Sequence, residues 1–318
     1  MSCRFVVLSD THFTPPPSDR NGTWWNRSTE RLSDRMGEAL IELVNDLAPD
    51  FVIHCGDFVG ECSRRSFDFG AAVMDRLGHP WYAVTGNHDT WCGDVRDRFR
   101  ETFAAGADSC SYTRELGGLL FMFLDEAFWY ARDGSISPVL DMETSRSGGI
   151  ISIGPLECDL DRLETVLGDT QCPAVLIAHA PVVYREAYPV VTLPHGKPVR
   201  GPMTKPETFI PHLIGHERLA RITRDYPQLK ACFSGHWHIN DIVQDGGVWY
   251  IMTGALREFP YDVRLIDYHG GAFRITTHRL DVPDLIELSY VKEWGNRWVE
   301  GVENVRTAVC ELRLNTEI

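Results

Sequence analysis

Short apolar runs recur along the chain, and most end at a polar or glycine-containing turn. The run from Phe5 to Leu8 ends at Ser9-Asp10-Thr11-His12, and that from Phe51 to Cys55 at Gly56-Asp57. The run from Trp81 to Val84 ends at Thr85-Gly86-Asn87-His88-Asp89, and that from Leu119 to Leu124 at Asp125-Glu126. The runs from Ala174 to Ala178 and from Leu229 to Phe233 end at His179 and at Ser234-Gly235-His236. Continuous apolar runs of this length predict strands covered on both faces. Helical spacing fills the gaps. Leu32, Met36, Leu40, Leu43 and Leu47 form one stripe, stopped by Pro49-Asp50. Phe69, Val73 and Leu77 predict a second helix, Leu156, Leu160, Leu163 and Leu167 a third, and Leu219 and Ile222 a fourth. Strands alternating with helices predict βαβ units and a largely parallel sheet. Past Val248, three apolar runs follow one another across short turns such as His269-Gly270-Gly271. They predict an antiparallel meander.

Two segments fit neither pattern. Residues 130–155 are rich in Ser and Gly, and residues 184–216 in Pro and His. Loops this long inside a compact domain are expected to be lids or binding loops. The second carries Tyr184, Tyr188, His195, Lys197, Arg200 and Lys205, side chains suited to capping a cleft. The tail from 281 to 318 alternates polar and apolar residues around Trp294 and Trp298 and has no clear place.

Composition narrows the function. With 31 Lys and Arg against 45 Asp and Glu, the 318-residue chain has a formal net charge of −14. A protein that tracks long nucleic acid gains most of its affinity by neutralising phosphates, so this balance disfavours that class. It does not exclude a small phosphate substrate that meets something positive in the site. No apolar run is long enough to span a bilayer, and the start lacks the pattern of a signal peptide. The nine cysteines are irregularly spaced, without a CxxC pair, and read as reduced thiols of a cytoplasmic protein.

The strand-end residues carry the chemistry. Asp10, His12, Asp57, Asn87, His88, Asp89, His179, His236 and His238 all fall at the carboxyl ends of predicted strands, where α/β sheets bind ligands. Each piece alone has an ordinary explanation: an Asp-x-His by chance, a Gly-Asp turn, a hydrogen-bonded core histidine. In order, each closing a strand, they read as a metal site. His, Asp and Asn without Cys favour Mn, Fe or Zn ligation by nitrogen and oxygen. Seven such ligands suit two ions rather than one tetrahedral ion.

As an ordered set the motifs resemble the calcineurin-like metallophosphoesterases. Asp10-Thr11-His12, Gly56-Asp57, Gly86-Asn87-His88-Asp89, His179 and Gly235-His236-Trp237-His238 match that family's signature from about residue 3 to 255. The resemblance implies that Asp10, His12, Asp57 and His238 hold one divalent ion. Asp57, Asn87, His179 and His236 would hold the other, with Asp57 bridging. It implies His88 as the catalytic histidine, with Asp89 orienting its ring. The implied fold is α/β, a four-layer αββα sandwich of two mixed sheets flanked by helices. A catalytic domain would span 1–280, with a candidate lid at 184–216 and a C-terminal extension at 281–318. The implied reaction is phosphoester hydrolysis by a hydroxide bridging two ions about 3.5–4 Å apart, attacking in line. Asn87 would ligate without adding negative charge.

Within the family, the run Gly56-Asp57-Phe58-Val59-Gly60-Glu61-Cys62 lacks the Asp-Arg-Gly continuation of the protein phosphatases. Gly60 stands where purple acid phosphatases place a tyrosine ligand. The acidic chain and the lack of a basic arm argue against the DNA repair nuclease branch. What remains looks most like class III cyclic nucleotide phosphodiesterases and their glycerophosphodiesterase relatives. The expected substrate is a small phosphodiester. A phosphomonoesterase or a nucleotide or lipid diphosphatase on the same site is the alternative. A non-catalytic scaffold would be expected to have lost ligands, and none is lost. His54, His79, His212, His216, His269 and His278 are expected on the surface or behind the ligands.

Overall fold

A computed structural model describes residues 2–19, 28–105, 109–183, 190–192, 198–200, 213–291 and 296–312. Two six-stranded mixed sheets form the centre. In the first, β1 (Ser2–Leu8), β2 (Phe51–His54) and β3 (Trp81–Ala83) run parallel. The antiparallel β15 (Asp262–His269), β16 (Ala272–Arg279) and β17 (Thr307–Glu311) follow on the other side of β1. In the second, β5 (Leu119–Phe123), β9 (Ala174–Ile177), β12 (Leu229–Ser234) and β14 (Val248–Met252) are parallel. The antiparallel edge strands β4 (Tyr112–Leu116) and β13 (Asp241–Asp245) close its two sides.

Strand alternation explains the layers. Side chains one residue apart point to opposite faces of a sheet. Phe5 and Val7 therefore join Phe121, Phe123, Ile177 and Phe233 in the core between the sheets. Their neighbours Val6 and Leu8 face outward onto Met36, Leu40 and Val44 of α1 (Ser33–Leu47), Phe67 of α2 (Arg64–Asp75) and Phe99 of α3 (Gly93–Phe103). On the far side, Met122 and Leu176 pack against Leu160, Leu163 and Leu167 of α5 (Glu157–Asp169) and Leu219 and Ile222 of α6 (His216–Asp225). This is the expected αββα sandwich, and all six predicted buried strands are present.

Other expectations change. Val248–Met252 is no part of a meander with the strands after it. It lies parallel to β12 in the second sheet, while only β15 and β16 form the antiparallel pair. Its apolar run could have entered either sheet, and hydropathy alone does not choose between them. The segment 130–155 is no plain loop. It carries most of a three-stranded antiparallel sheet of β6 (Phe128–Ala131), β7 (Ile136–Ser137) and β8 (Ile150–Gly154), with α4 (Met142–Arg146) between the last two. Helix α3, unpredicted, exposes a mostly charged surface and buries Val95, Phe99 and Phe103 at helical spacing. Most of the candidate lid lies outside the described residues. Within it, β10 (Val190–Thr192) pairs with β11 (Pro198–Arg200). The tail contributes α7 (Pro283–Ser289), α8 (Glu303–Arg306) and β17, and buries Leu285, Val305 and Cys310 against the rest. No described helix is long and apolar enough to cross a membrane.

Candidate metal centre

Five parallel strands, three from one sheet and two from the other, end at one rim. Asp10 and His12 follow β1, Asp57 follows β2, and Asn87 and His88 follow β3. His179 follows β9, and His236 and His238 follow β12. Local backbone marks this rim. Asp10, His12, Asp57, His236 and His238 have φ between 44° and 69°, five of seven such non-glycine residues among those described. Left-handed conformations of this kind cost about 1–3 kcal/mol each and persist where surrounding structure over-determines them, commonly at functional sites. Two glycines permit the approach. A Cβ on Gly86 would lie 2.3 Å from the backbone nitrogen and Oδ1 of Asp57. One on Gly235 would lie 2.4 Å from Asp10 Oδ2.

The side chains converge on two centres that share Asp57. Asp57 Oδ2 lies 3.5 Å from His12 Nε2, and Oδ1 lies 3.4 Å from His179 Nε2. Around the first centre, Asp10 Oδ1 is 3.3 Å from His238 Nε2 and 3.9 Å from His12 Nε2. Around the second, His179 Nε2 is 3.2 Å from Asn87 Oδ1 and 3.1 Å from His236 Nδ1. His179 Nδ1 donates to the Cys55 carbonyl at 2.8 Å, which leaves Nε2 as the ligating atom. All seven predicted ligands are thus brought together.

The donor set fits divalent cations. Asp10 Oδ1 is buried without a well-directed hydrogen bond, although Oδ2 accepts from Ser9 Oγ at 2.6 Å and from the His236 amide at 3.0 Å. Burial pulls His179 down, yet Asp57 and Asp10 hold it up to about 10. Burial likewise opposes His238, which Asp10 and Glu258 hold up to about 9. His236 and His54, dominated by burial, fall to about 3. Burial, opposed by Asp57 and aided by Arg257, takes His88 to about 4. The carboxylates therefore keep protons on imidazoles, which is positive charge that a metal cation replaces.

The expected contact from Asp89 to the His88 ring is not among the described hydrogen bonds. The Asp89 carboxylate accepts from the amides of Phe58 at 3.0 Å, Val59 at 2.8 Å and Gly86 at 2.8 Å. It ties the loop after Asp57 to the loop before Asn87. His88 instead lies against Trp91, with ring centroids 4.1 Å apart and planes tilted by 31°, and meets His12 edge-on at 4.6 Å. The same two loops are joined by a disulfide between Cys62 and Cys92, whose Cα atoms are 5.8 Å apart. The expectation of nine thiols is corrected to seven unpaired cysteines, because the fold brings together two residues 30 apart in sequence. His54 is behind the ligands as expected, accepting from the Gly56 amide and contacting Thr11 Oγ1 at 2.9 Å.

Sequence reasoning missed three residues. Glu258 contacts His238 Nδ1, Arg257 lies beside His12, and buried Glu126 accepts from the Ala180 amide next to His179. Glu126 follows β5, and Arg257-Glu258 follow β14. The signal was a polar residue after an apolar run, the one that marked the ligands.

The family model for calcineurin-like phosphoesterases matches residues 3–240, well over half of the chain. The chain belongs to the calcineurin-like phosphoesterases. Two divalent ions are that family's cofactor, and this phosphoesterase has buried Asp and His groups able to hold them. A dimetal phosphatase from Danio rerio has a similar structure, with a TM-score of 0.63, 17% identity, and coverage of 86% of this chain and 95% of that one. The purple acid phosphatase of yellow lupin (Lupinus luteus) aligns with a TM-score of 0.53 and 13% identity, over 88% of this chain and 52% of that one. The GAP50 anchor of the Plasmodium inner membrane complex gives a TM-score of 0.52 at 10% identity, covering 90% and 87%. At these identities the likeness is one of fold. No curated protein matches the sequence.

Proposed function

We propose that this phosphoesterase hydrolyses small phosphodiesters of the cyclic nucleotide or glycerophosphodiester kind. The observation that carries the reading is Asp57, set between two imidazole clusters with one oxygen toward each. When bound, two divalent ions supply an activated water and neutralise charge on the phosphoryl oxygens. Asp57 spaces the two centres, Asp10 and Asn87 fix their outer sides, and the Cys55 carbonyl sets the tautomer of His179. His88 borders the cluster beside Asn87, and we assign it the leaving-group side. There its ring donates a proton or a hydrogen bond to the departing oxygen.

Subgroup features support this branch. A Cβ on Gly60 would lie 2.5 Å from Thr14 Oγ1 and 2.6 Å from the His12 carbonyl, so no tyrosine ligand fits there. The loop after Asp57 carries no arginine before Cys62. The net charge of −14 supports a small substrate rather than long nucleic acid or an anionic membrane surface. Phosphomonoester or diphosphate hydrolysis is the second reading, favoured by the phosphatases among the similar folds.

We place the protein in the cytoplasm on the strength of its seven unpaired cysteines. The Cys62–Cys92 pair pulls the other way, since disulfides persist in oxidising compartments. Alkylation at the moment of lysis decides: both thiols labelled supports the cytoplasm, and neither labelled overturns it. The substrate reading is tested by a panel on protein loaded separately with Mn, Fe and Zn. Bis(p-nitrophenyl) phosphate should be turned over with higher kcat/KM than p-nitrophenyl phosphate or a dinucleoside pyrophosphate. The opposite order replaces this reading with the second.

A further inference from the structure

Five of the seven candidate ligands, Asp10, His12, Asp57, His179 and His238, are buried. The open side of the cluster is formed by partly exposed residues, among them Asn87, His88 and His236, and beside them Arg257. Arg257 is held rigidly. Its backbone amide donates to the Asp10 carbonyl at 3.0 Å, and its carbonyl accepts from the Thr29 amide at 3.0 Å. Its Nε and Nη2 donate to Ser28 Oγ at 3.2 and 3.0 Å, and Nη2 pairs with buried Glu30. Nη1 is left over. It lies 3.3 Å from both nitrogens of His12, equidistant between them rather than aligned on one acceptor, and it makes no other hydrogen bond among the described residues.

We infer that Arg257 binds a non-bridging phosphoryl oxygen of the substrate through Nη1, as the site's own cation beside the two metals. The anchoring by Glu30 and Ser28 leaves one face of the fork aimed at the cluster, so little side-chain freedom is lost when substrate arrives. The position answers a gap in the sequence, because the loop after Asp57 carries no arginine for this task. This assignment rests on the reading of the site as a phosphoesterase centre.

The test uses the full chain loaded with Mn, with metal content measured for every sample. Orthophosphate is the probe, titrated by calorimetry, alongside KM and kcat on the best substrate of the panel. For Arg257→Gln we expect metal content equal to wild type, and phosphate binding weaker by about tenfold to 100-fold, the range for a lost charged hydrogen bond. KM should rise by a similar factor. Phosphate affinity within twofold of wild type, with metals retained, overturns the inference. Loss of metal in the variant also overturns it, since Arg257 would then prop His12 rather than hold substrate. If the Gln variant does not fold, Arg257→Met, which keeps the apolar stem but not the charge, is read by the same criteria. A wild-type protein that binds phosphate but hydrolyses no ester defeats the functional reading and leaves the Arg257 comparison intact.

Discussion

Asp89→Asn separates two roles for one carboxylate. In the structure Asp89 Oδ2 accepts from the amides of Phe58 and Gly86, and Oδ1 from that of Val59. An amide side chain in the same place keeps one oxygen. Placed with that oxygen at the Oδ2 position, it loses one bond and sets an N–H₂ group against the Val59 N–H. The reverse placement loses two. An orphaned buried donor costs about 1–3 kcal/mol, so the substitution should destabilise the protein by about 2–4 kcal/mol. Burial and nearby Asp57 push Asp89 up to about 7, against the pull of its three amide donors, so the comparison belongs at pH 8, where the carboxylate prevails. Urea unfolding gives the stability, and metal analysis reports whether the loops carrying Asp57 and Asn87 still close. We expect a lower midpoint together with weaker metal retention. Wild-type stability with only a lowered kcat would refute the loop-tying role and restore the orientation of His88.

Asp57→Ala should empty both metal centres, because both converge on this one carboxylate; elemental analysis reads it directly. His88→Ala should keep the metals and lower the chemical step by roughly 10²–10⁴-fold, measured by single-turnover kinetics. Replacing Cys62 and Cys92 together by Ser should cost the oxidised protein about 3.6 kcal/mol, from the loop-closure entropy of a 30-residue separation, and denaturant titration with and without reductant measures it. Metal loading at pH 7 should release about two protons, because His179 at about 10 and His238 at about 9 are charged in the metal-free chain and must be neutral to ligate. Protons thus compete with metal, so affinity falls as pH drops below about 10 at the His179 centre and below about 9 at the His238 centre, and calorimetry in buffers of different ionisation enthalpy counts them.

The strands and the seven candidate ligands were legible because one signal served both. Each apolar run had to be a strand covered on two faces, and each ended in a residue type that binds metal. Arg257, Glu258 and Glu126 stand after strands in the same way, yet Arg and Glu are so common at turns that only the fold shows which face the site. The contacts of Asp89 were not legible, because the family resemblance assigned it to His88 while the tight turn aims its carboxylate back at three amides. The Cys62–Cys92 pair was hidden because its distance in space depends on two loops meeting across the sheet end. Strand β17 escaped notice because an edge strand with one packed face shows only a faint alternation, here the burial of Cys310 between exposed neighbours.

The central claim, a two-metal centre that breaks phosphoester bonds, is tested most directly by metal content and turnover in one sample. Protein loaded with Mn is freed of excess ion, its metal per chain is counted, and bis(p-nitrophenyl) phosphate is added to the same preparation. Two ions per chain with turnover, and neither in Asp57→Ala, is the predicted result. Two ions per chain without turnover on any diester, monoester or pyrophosphate would contradict it.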